Sequence, residues 1–157
     1  MSTSSKTMLN PATFPRPPAC EKTSRHLTVT LQNGTKVADT KEAYWVLETY
    51  HPPTYYLPAS SLLVPKSKSS ARSTYCEWKG FATYWDIEGV KGKAWSYEDP
   101  SERFKALKGY LSFYAEPWEC QVDGEVVVAQ PGDFYGGWMT SDIQRESVKG
   151  APGTRHW

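Results

Sequence analysis

The chain is short of several things that would each have declared a function. Its three cysteines, Cys20, Cys76 and Cys120, are odd in number, far apart and never in a CxxC pair. That spacing offers neither a disulfide framework nor a zinc knuckle, and reduced thiols are the simplest reading. No run approaches the ~20 apolar residues of a membrane-spanning helix, and no apolar secretory segment opens the chain, so the expectation is a cytoplasmic protein without a membrane partner. Charge of one sign is not in excess: 18 Lys and Arg face 17 Asp and Glu, for a net +1. Such a balance gives no general attraction to nucleic acid. Also missing are a Gly-rich phosphate cradle and a Gly-Ser followed by paired aspartates for two metal ions, so no nucleotide, metal or other cofactor is expected.

What the chain has in quantity is aromatic surface. Phe, Trp and Tyr make up 14% of 157 residues, although the mean hydropathy is negative. A core in such a chain is built from few, large side chains. The length suits one domain, with residues 1–23 as an irregular, Ser- and Pro-rich arm held by Phe14 and residues 24–157 as the folded unit. The densest aromatic stretch is Ser73 to Tyr97, which carries Trp78, Trp85 and Trp95. Phe81, Thr83, Trp85 and Ile87 alternate with Ala82, Tyr84, Asp86 and Glu88, the period of a half-buried strand. Gly89 and Gly92 bracket a charged turn, Lys93 to Tyr97 reads as the return strand, and Gly80 marks a bulge in a Cys-Glu-Trp-Lys-Gly corner.

The flanking chain reads the same way. Asn33-Gly34 and Asp123-Gly124 each sit between alternating runs and predict hairpins. Thr40 to Tyr44 allows one helical turn and Ala43 to Thr49 a buried strand, and the two readings compete. Thr54 to Leu57 and Tyr110 to Ala115 predict further strands, and Ser101 to Gly109 a short helix closed by Gly109. Ala59 to Ser73, with six serines plus Lys66, Lys68 and Arg72, reads as a mobile basic loop or lid. From Ala129 the Gly-rich tail reads as an extended wrapping segment that Trp138 staples down. The sum is a mostly-β domain of antiparallel strands with one short helix.

Lys79, between Trp78 and Gly80, is the sharpest candidate for chemistry. In an aromatic corner its amine suits a base, a nucleophile or an anion anchor, with a snorkelling surface lysine as the plain alternative. Tyr84 and Tyr97 are the tyrosines best placed to share proton handling with it. Tyr56, Cys76, Trp78, Trp95, Tyr110 and Tyr114 are the candidate walls of a substrate pocket, with Glu48 joining from a neighbouring strand. Cys76 also fits a buried apolar thiol. Asp86, Glu88 and Glu116 are carboxylates near the aromatic strands, and His51 before two prolines reads as structural.

Several separate motifs carry a resemblance: ADT at Ala38 to Thr40, VLETYHPPTYYLP at Val46 to Pro58, TYCEWKGFATYWDI, AWSY, GYLSFYA, QPGDFYGGWMTSDI and KGAPGT. In this order they resemble the bacterial, fungal and plant family called domain of unknown function 427, and the GDFYGGW and PGT pieces its longer subgroup. The resemblance implies two antiparallel sheets packed at an angle, a β-tent, in which related folds hold small ligands in aromatic pockets. The subgroup's Gly-Pro-Phe-Lys-Gly run is replaced here by Gln144 to Gly150. A nucleotidyltransferase-like label attached to the family finds no supporting motif in the chain.

Two classes of function follow. One is an enzyme without metal or nucleotide that performs acid/base chemistry, such as isomerisation, cyclisation, elimination or hydrolysis, on an apolar or aromatic metabolite. The other is a non-catalytic ligand-binding or protein-interaction module with the same pocket, and a homodimer is open to either. Nucleic-acid binding through the Lys66 to Arg72 segment fits the charge balance less well.

Overall fold

The computed structural model describes residues 8–131 and 136–150, and their side chains except those of residues 71 and 72. The first seven residues of the arm, the Gly132 to Tyr135 part of GDFYGGW, and the stretch after Gly150 with His156 and Trp157 lie outside the described residues. The fold is mostly β, with thirteen short strands among the described residues. These are β1 (Ala19–Lys22), β2 (Leu27–Thr30), β3 (Lys36–Thr40), β4 (Tyr44–Leu47), β5 (Thr54–Tyr56), β6 (Lys66–Cys76) and β7 (Gly80–Ile87). They continue as β8 (Val90–Ser96), β9 (Leu111–Phe113), β10 (Glu119–Val122), β11 (Glu125–Val126), β12 (Val128–Ala129) and β13 (Trp138–Met139).

The strands form four antiparallel ladders. β6-β7-β8-β9 is extended by β5-β4-β1, because Leu57 and Leu111 exchange both backbone hydrogen bonds at 2.7 Å. β11-β10-β2-β3 forms the second large ladder, and β12-β13 ties down the tail. Both Asx-Gly hairpins form: Gly34 has φ +92°, and Asp123 and Gly124 have φ +50° and +85°, the left-handed pair that a tight two-residue turn needs.

The strand period sorts residues to two cores. Leu27, Val29, Ile87, Ala94 and Phe113 pack into one, between β2-β3-β10 and one face of the longer layer. Tyr56, Ala82, Tyr84, Trp95 and Tyr97 fall on the opposite face, where Phe104 and Leu107 cover part of them. β5 and β8 therefore bury residues on both faces, whereas β7 alternates as a half-buried strand, with Ala82 and Tyr84 buried, Thr83 and Trp85 partly so, and Phe81 67% exposed.

Several expectations are corrected. The Lys66 to Ser73 part of the expected basic loop is paired as β6, an 11-residue strand at the ladder's edge, with its register shifted between Lys68 and Ser73. Serine and lysine suit an edge, where polar side chains face water. The arm becomes regular at Ala19, because Ala19–Lys22 pairs with Leu47–Tyr44. Gly92 does not close the β7–β8 turn: Glu88 and Gly89 make it, and Gly92 lies within β8, where the register slips and Asp86 Oδ1 accepts its N–H at 3.0 Å. Thr40 to Tyr44 forms no helical turn, and the competing strand reading holds as β4. The Ser101 to Gly109 segment is a 3₁₀ run broken at Phe104, whose φ and ψ are −112° and 19°. The tail is not wholly irregular, since Trp138–Met139 pairs with Val128–Ala129. Trp138 does staple it, donating its indole N–H to the Phe113 carbonyl at 2.8 Å.

An ion pair fastens the tail to the layer. Arg25 Nη2 reaches Asp142 Oδ2 at 2.7 Å, its Nη1 reaches the Tyr55 hydroxyl at 3.1 Å, and its guanidinium lies 5.0 Å from the Trp45 ring centroid. Burial works to raise the Asp142 carboxyl, and hydrogen bonds from Thr140 and Arg25 outweigh it and hold the group below its ordinary value.

Candidate functional site

Direct register pairing sets the site's wall. Tyr84 on β7 lies opposite Trp95 on β8, so both rings share a face, with centroids 6.3 Å apart. Two residues further on, Tyr97 repeats that face, and Tyr114 follows β9 with its ring 4.8 Å from Trp95. Tyr56 contributes from β5, 6.3 Å from Tyr97. These rings line a half-open cavity of about 220 Å³ rather than interlocking. The β6–β7 hairpin supplies its amine. Cys76 pairs with Gly80, Glu77 to Lys79 form the turn, and Gly80 takes φ +108°, which a side chain would resist. Lys79 is thereby folded inward, 7% exposed, with Nζ 5.6 Å from the Tyr56 ring centroid and 5.7 Å from that of Tyr97.

Seven of the nine sequence-predicted site residues line this cavity: Lys79, Tyr84, Tyr97, Tyr56, Cys76, Trp95 and Tyr114. Trp78 instead lines a smaller, more polar cavity of about 150 Å³ next to it. Tyr110 packs edge-on against Tyr44, centroids 5.4 Å apart. Of the carboxylates, Glu48 is at the main cavity, whereas Asp86 and Glu88 border a separate surface depression and Glu116 is exposed.

The chemistry of the hydroxyls differs. Tyr84 shares a 2.9 Å hydrogen bond with the Thr74 hydroxyl. Tyr97 is pushed above its ordinary value, foremost by burial and then by Tyr56, against the lowering pull of Lys79. It is a proton donor at neutral pH, not a base. The Tyr56 hydroxyl is fully buried without a well-formed hydrogen bond among the described residues; the Trp95 side chain is the polar group that approaches it. Burial raises Tyr56 too.

His51, read as structural, stands at the cavity with Glu48, and both also border the smaller one. Gln130 Nε2 lies 2.8 Å from the Lys149 carbonyl and 3.0 Å from His51 Nδ1. A carbonyl only accepts, so the Gln130 atom is the amide nitrogen, and His51 Nδ1 must accept its second hydrogen. The neutral imidazole thus carries its proton on Nε2, which lies 4.0 Å from Glu48 Oε2. Burial lowers the His51 pKa most strongly, with Lys149 and Lys79 adding to it and Glu48 and Gln130 opposing. A neutral N–H donor beside a carboxylate separates acid from base within one corner. The signal for His51 lay in its place: two prolines direct the chain across the cavity's end, and only the tail's Gln130 shows what the ring does.

The tail reaches the site through room, not twist. A Cβ at Gly136 would stand 2.2 Å from Trp95 Cη2, and one at Gly137 would stand 2.6 Å from Pro52 Cγ and 2.8 Å from Gln130 Oε1. Glycine alone lets the backbone close against the indole.

Among the described residues no group of three or more His, Cys, Asp and Glu is placed to hold a metal, and no helix is long and apolar enough to cross a membrane. All three cysteines are free. Fold and site together describe a small mostly-β domain with an aromatic-walled cavity and one inward lysine. The family model described as "Domain of unknown function (DUF427)" matches residues 19–128. The chain belongs to that family. The match spans β1 to the start of β12, so the cavity's rings, Lys79 and His51 fall inside it and Gln130, Gly136 and Gly137 outside. No curated protein matches the chain.

Proposed function

We propose that the cavity binds a small aromatic or apolar metabolite and performs acid/base chemistry on it with the protein's own side chains, of the isomerisation, cyclisation, elimination or hydrolysis type. The observation that carries this reading is the convergence of Lys79, Tyr84, Trp95 and Tyr97 on one 220 Å³ space. Flat walls exclude water and hold one conformer of a bound ring. Lys79 serves as the electrophilic anchor for an oxygen that gains charge, with the Tyr97 phenol as a second donor. Glu48 is the base, and the His51 Nε2–H returns a proton. Tyr84, tied to Thr74, orients the substrate.

Incubation in D₂O with a set of single-ring carbonyl and olefinic compounds, followed by NMR, tests it. Deuterium enters at an activated carbon in the wild-type reaction, and the rate drops roughly 100-fold or more in Glu48→Gln and Lys79→Ala chains with unchanged far-UV spectra. Unchanged exchange in Lys79→Ala removes that amine from the mechanism. Compounds that bind yet exchange nothing point to the second reading, a non-catalytic binding module, which the same aromatic walls would serve equally well.

A further inference from the structure

Lys79 differs from the other paired lysines of this protein in what surrounds it. Lys22, Lys36 and Lys105 meet Glu42, Asp39 and Glu102 at 3.4, 3.0 and 2.9 Å, all on exposed side chains where water would satisfy them anyway. Lys79 is 7% exposed, and among the described residues it enters no ion pair with a carboxylate. Its charge is met by the faces of Tyr56 and Tyr97, which recover part of the lost hydration and none of the three N–H bonds. A lysine held this far inside a protein with no carboxylate of the described residues to meet its charge is one that an anion in the adjoining space would complete. The space beside it is the cavity.

That space restricts what completes it. A volume of about 220 Å³ is below the usual range for drug-sized ligands, so the occupant is of the order of one ring. Trp95 and the tyrosines present flat faces to it. Among the described residues the lining holds one lysine, Lys79, against one carboxylate, Glu48. One point charge without a bidentate fork suits a monoanion rather than a phosphate ester. Glu48, beside His51, repels the anion from its own corner and leaves the Lys79 corner as its seat.

We propose that the ligand is a planar, single-ring organic carboxylate, with its charge on Lys79 and its ring against Trp95. The proposal rests on the reading of the cavity as a ligand site and deepens it from an apolar guest to an anionic one.

The experiment pairs acids with their neutral shape-mates: benzoate, 2-furoate and salicylate against benzamide, 2-furamide and salicylamide. Each is titrated into the full chain and read by tryptophan fluorescence and by calorimetry. The acids bind at least about tenfold more tightly than the amides, the size of effect that a charge-assisted hydrogen bond supports. In Lys79→Met the acids lose that preference and bind no more tightly than the amides. Lys79→Gln gives the same loss of preference with a polar tip. Amides binding as tightly as acids, or either variant keeping the preference, overturns the anion. Binding of neither set sinks the ligand-site reading itself, and the anion with it.

Discussion

Tyr55 and Tyr56 are consecutive in β5, both almost wholly inaccessible, and they live in different worlds. Tyr55 points into the core between the two layers, where its hydroxyl meets Arg25 at 3.1 Å and its ring lies 5.2 Å from Trp138. Tyr56 points to the other face, where its hydroxyl has no well-formed partner among the described residues and its ring borders a half-open cavity. The same contrast runs along β8, where Ala94 fills the first core and Trp95 walls the second. The first core is mainly aliphatic, and the polar tips of its Tyr55, Trp118 and Trp138 are all hydrogen-bonded. The second is mainly Tyr and Trp with a lysine, and side chains with polar tips do not close-pack unless each tip is satisfied. One face of the layer holds the fold together, and the other gives up packing to keep a space.

The comparison can be broken by substitutions on each side. Phe113→Ala, in the sealed core at 0% exposure, costs about 3–5 kcal/mol of stability, read from chemical unfolding. A loss under about 1 kcal/mol would mean that this core is not the stabilising one. The tyrosine pair sharpens the contrast. Tyr55→Phe removes a hydrogen bond from a charged partner and costs roughly 1.5–3 kcal/mol, whereas Tyr56→Phe removes an orphan hydroxyl and changes stability by less than about 1 kcal/mol in either direction. Equal losses at the two positions would erase the distinction between the faces.

The smallest effect is a pH dependence at the cavity. Burial holds the folded His51 pKa below its unfolded value of 6.5, so folding favours the neutral ring. That contribution is complete above pH 6.5 and is lost as pH falls through the folded value. Thermal midpoints of the wild type therefore decline more steeply below pH 6.5 than those of His51→Gln. Parallel curves would place His51 outside the buried, neutral state described here.

Much of this was legible in the residues. Asn33-Gly34 and Asp123-Gly124 determine their turns because few dipeptides tolerate the left-handed backbone, and alternation in Phe81 to Glu88 marks a strand wherever it ends up. Lys66 to Ser73 was misread as a loop because edge strands carry the same serines and lysines as loops do; only the pairing with β7 separates the two. Trp78 and Tyr110 were expected at the pocket on aromaticity alone, which says nothing about the direction a turn sends a side chain. His51 and Gln130 are 79 positions apart, and no local pattern joins them.

The amino-acid order by itself determined the two Asx-Gly hairpins, the alternating strand of β7 and the presence of more polar-tipped aromatic surface than a small core can absorb, because those follow from period and backbone sterics. Tertiary structure alone decided which face each ring took, that Lys79 turned inward, and that Gly136 could press against Trp95. Those depend on register between distant strands, and a shift of one residue would have sent every one of them to the other side.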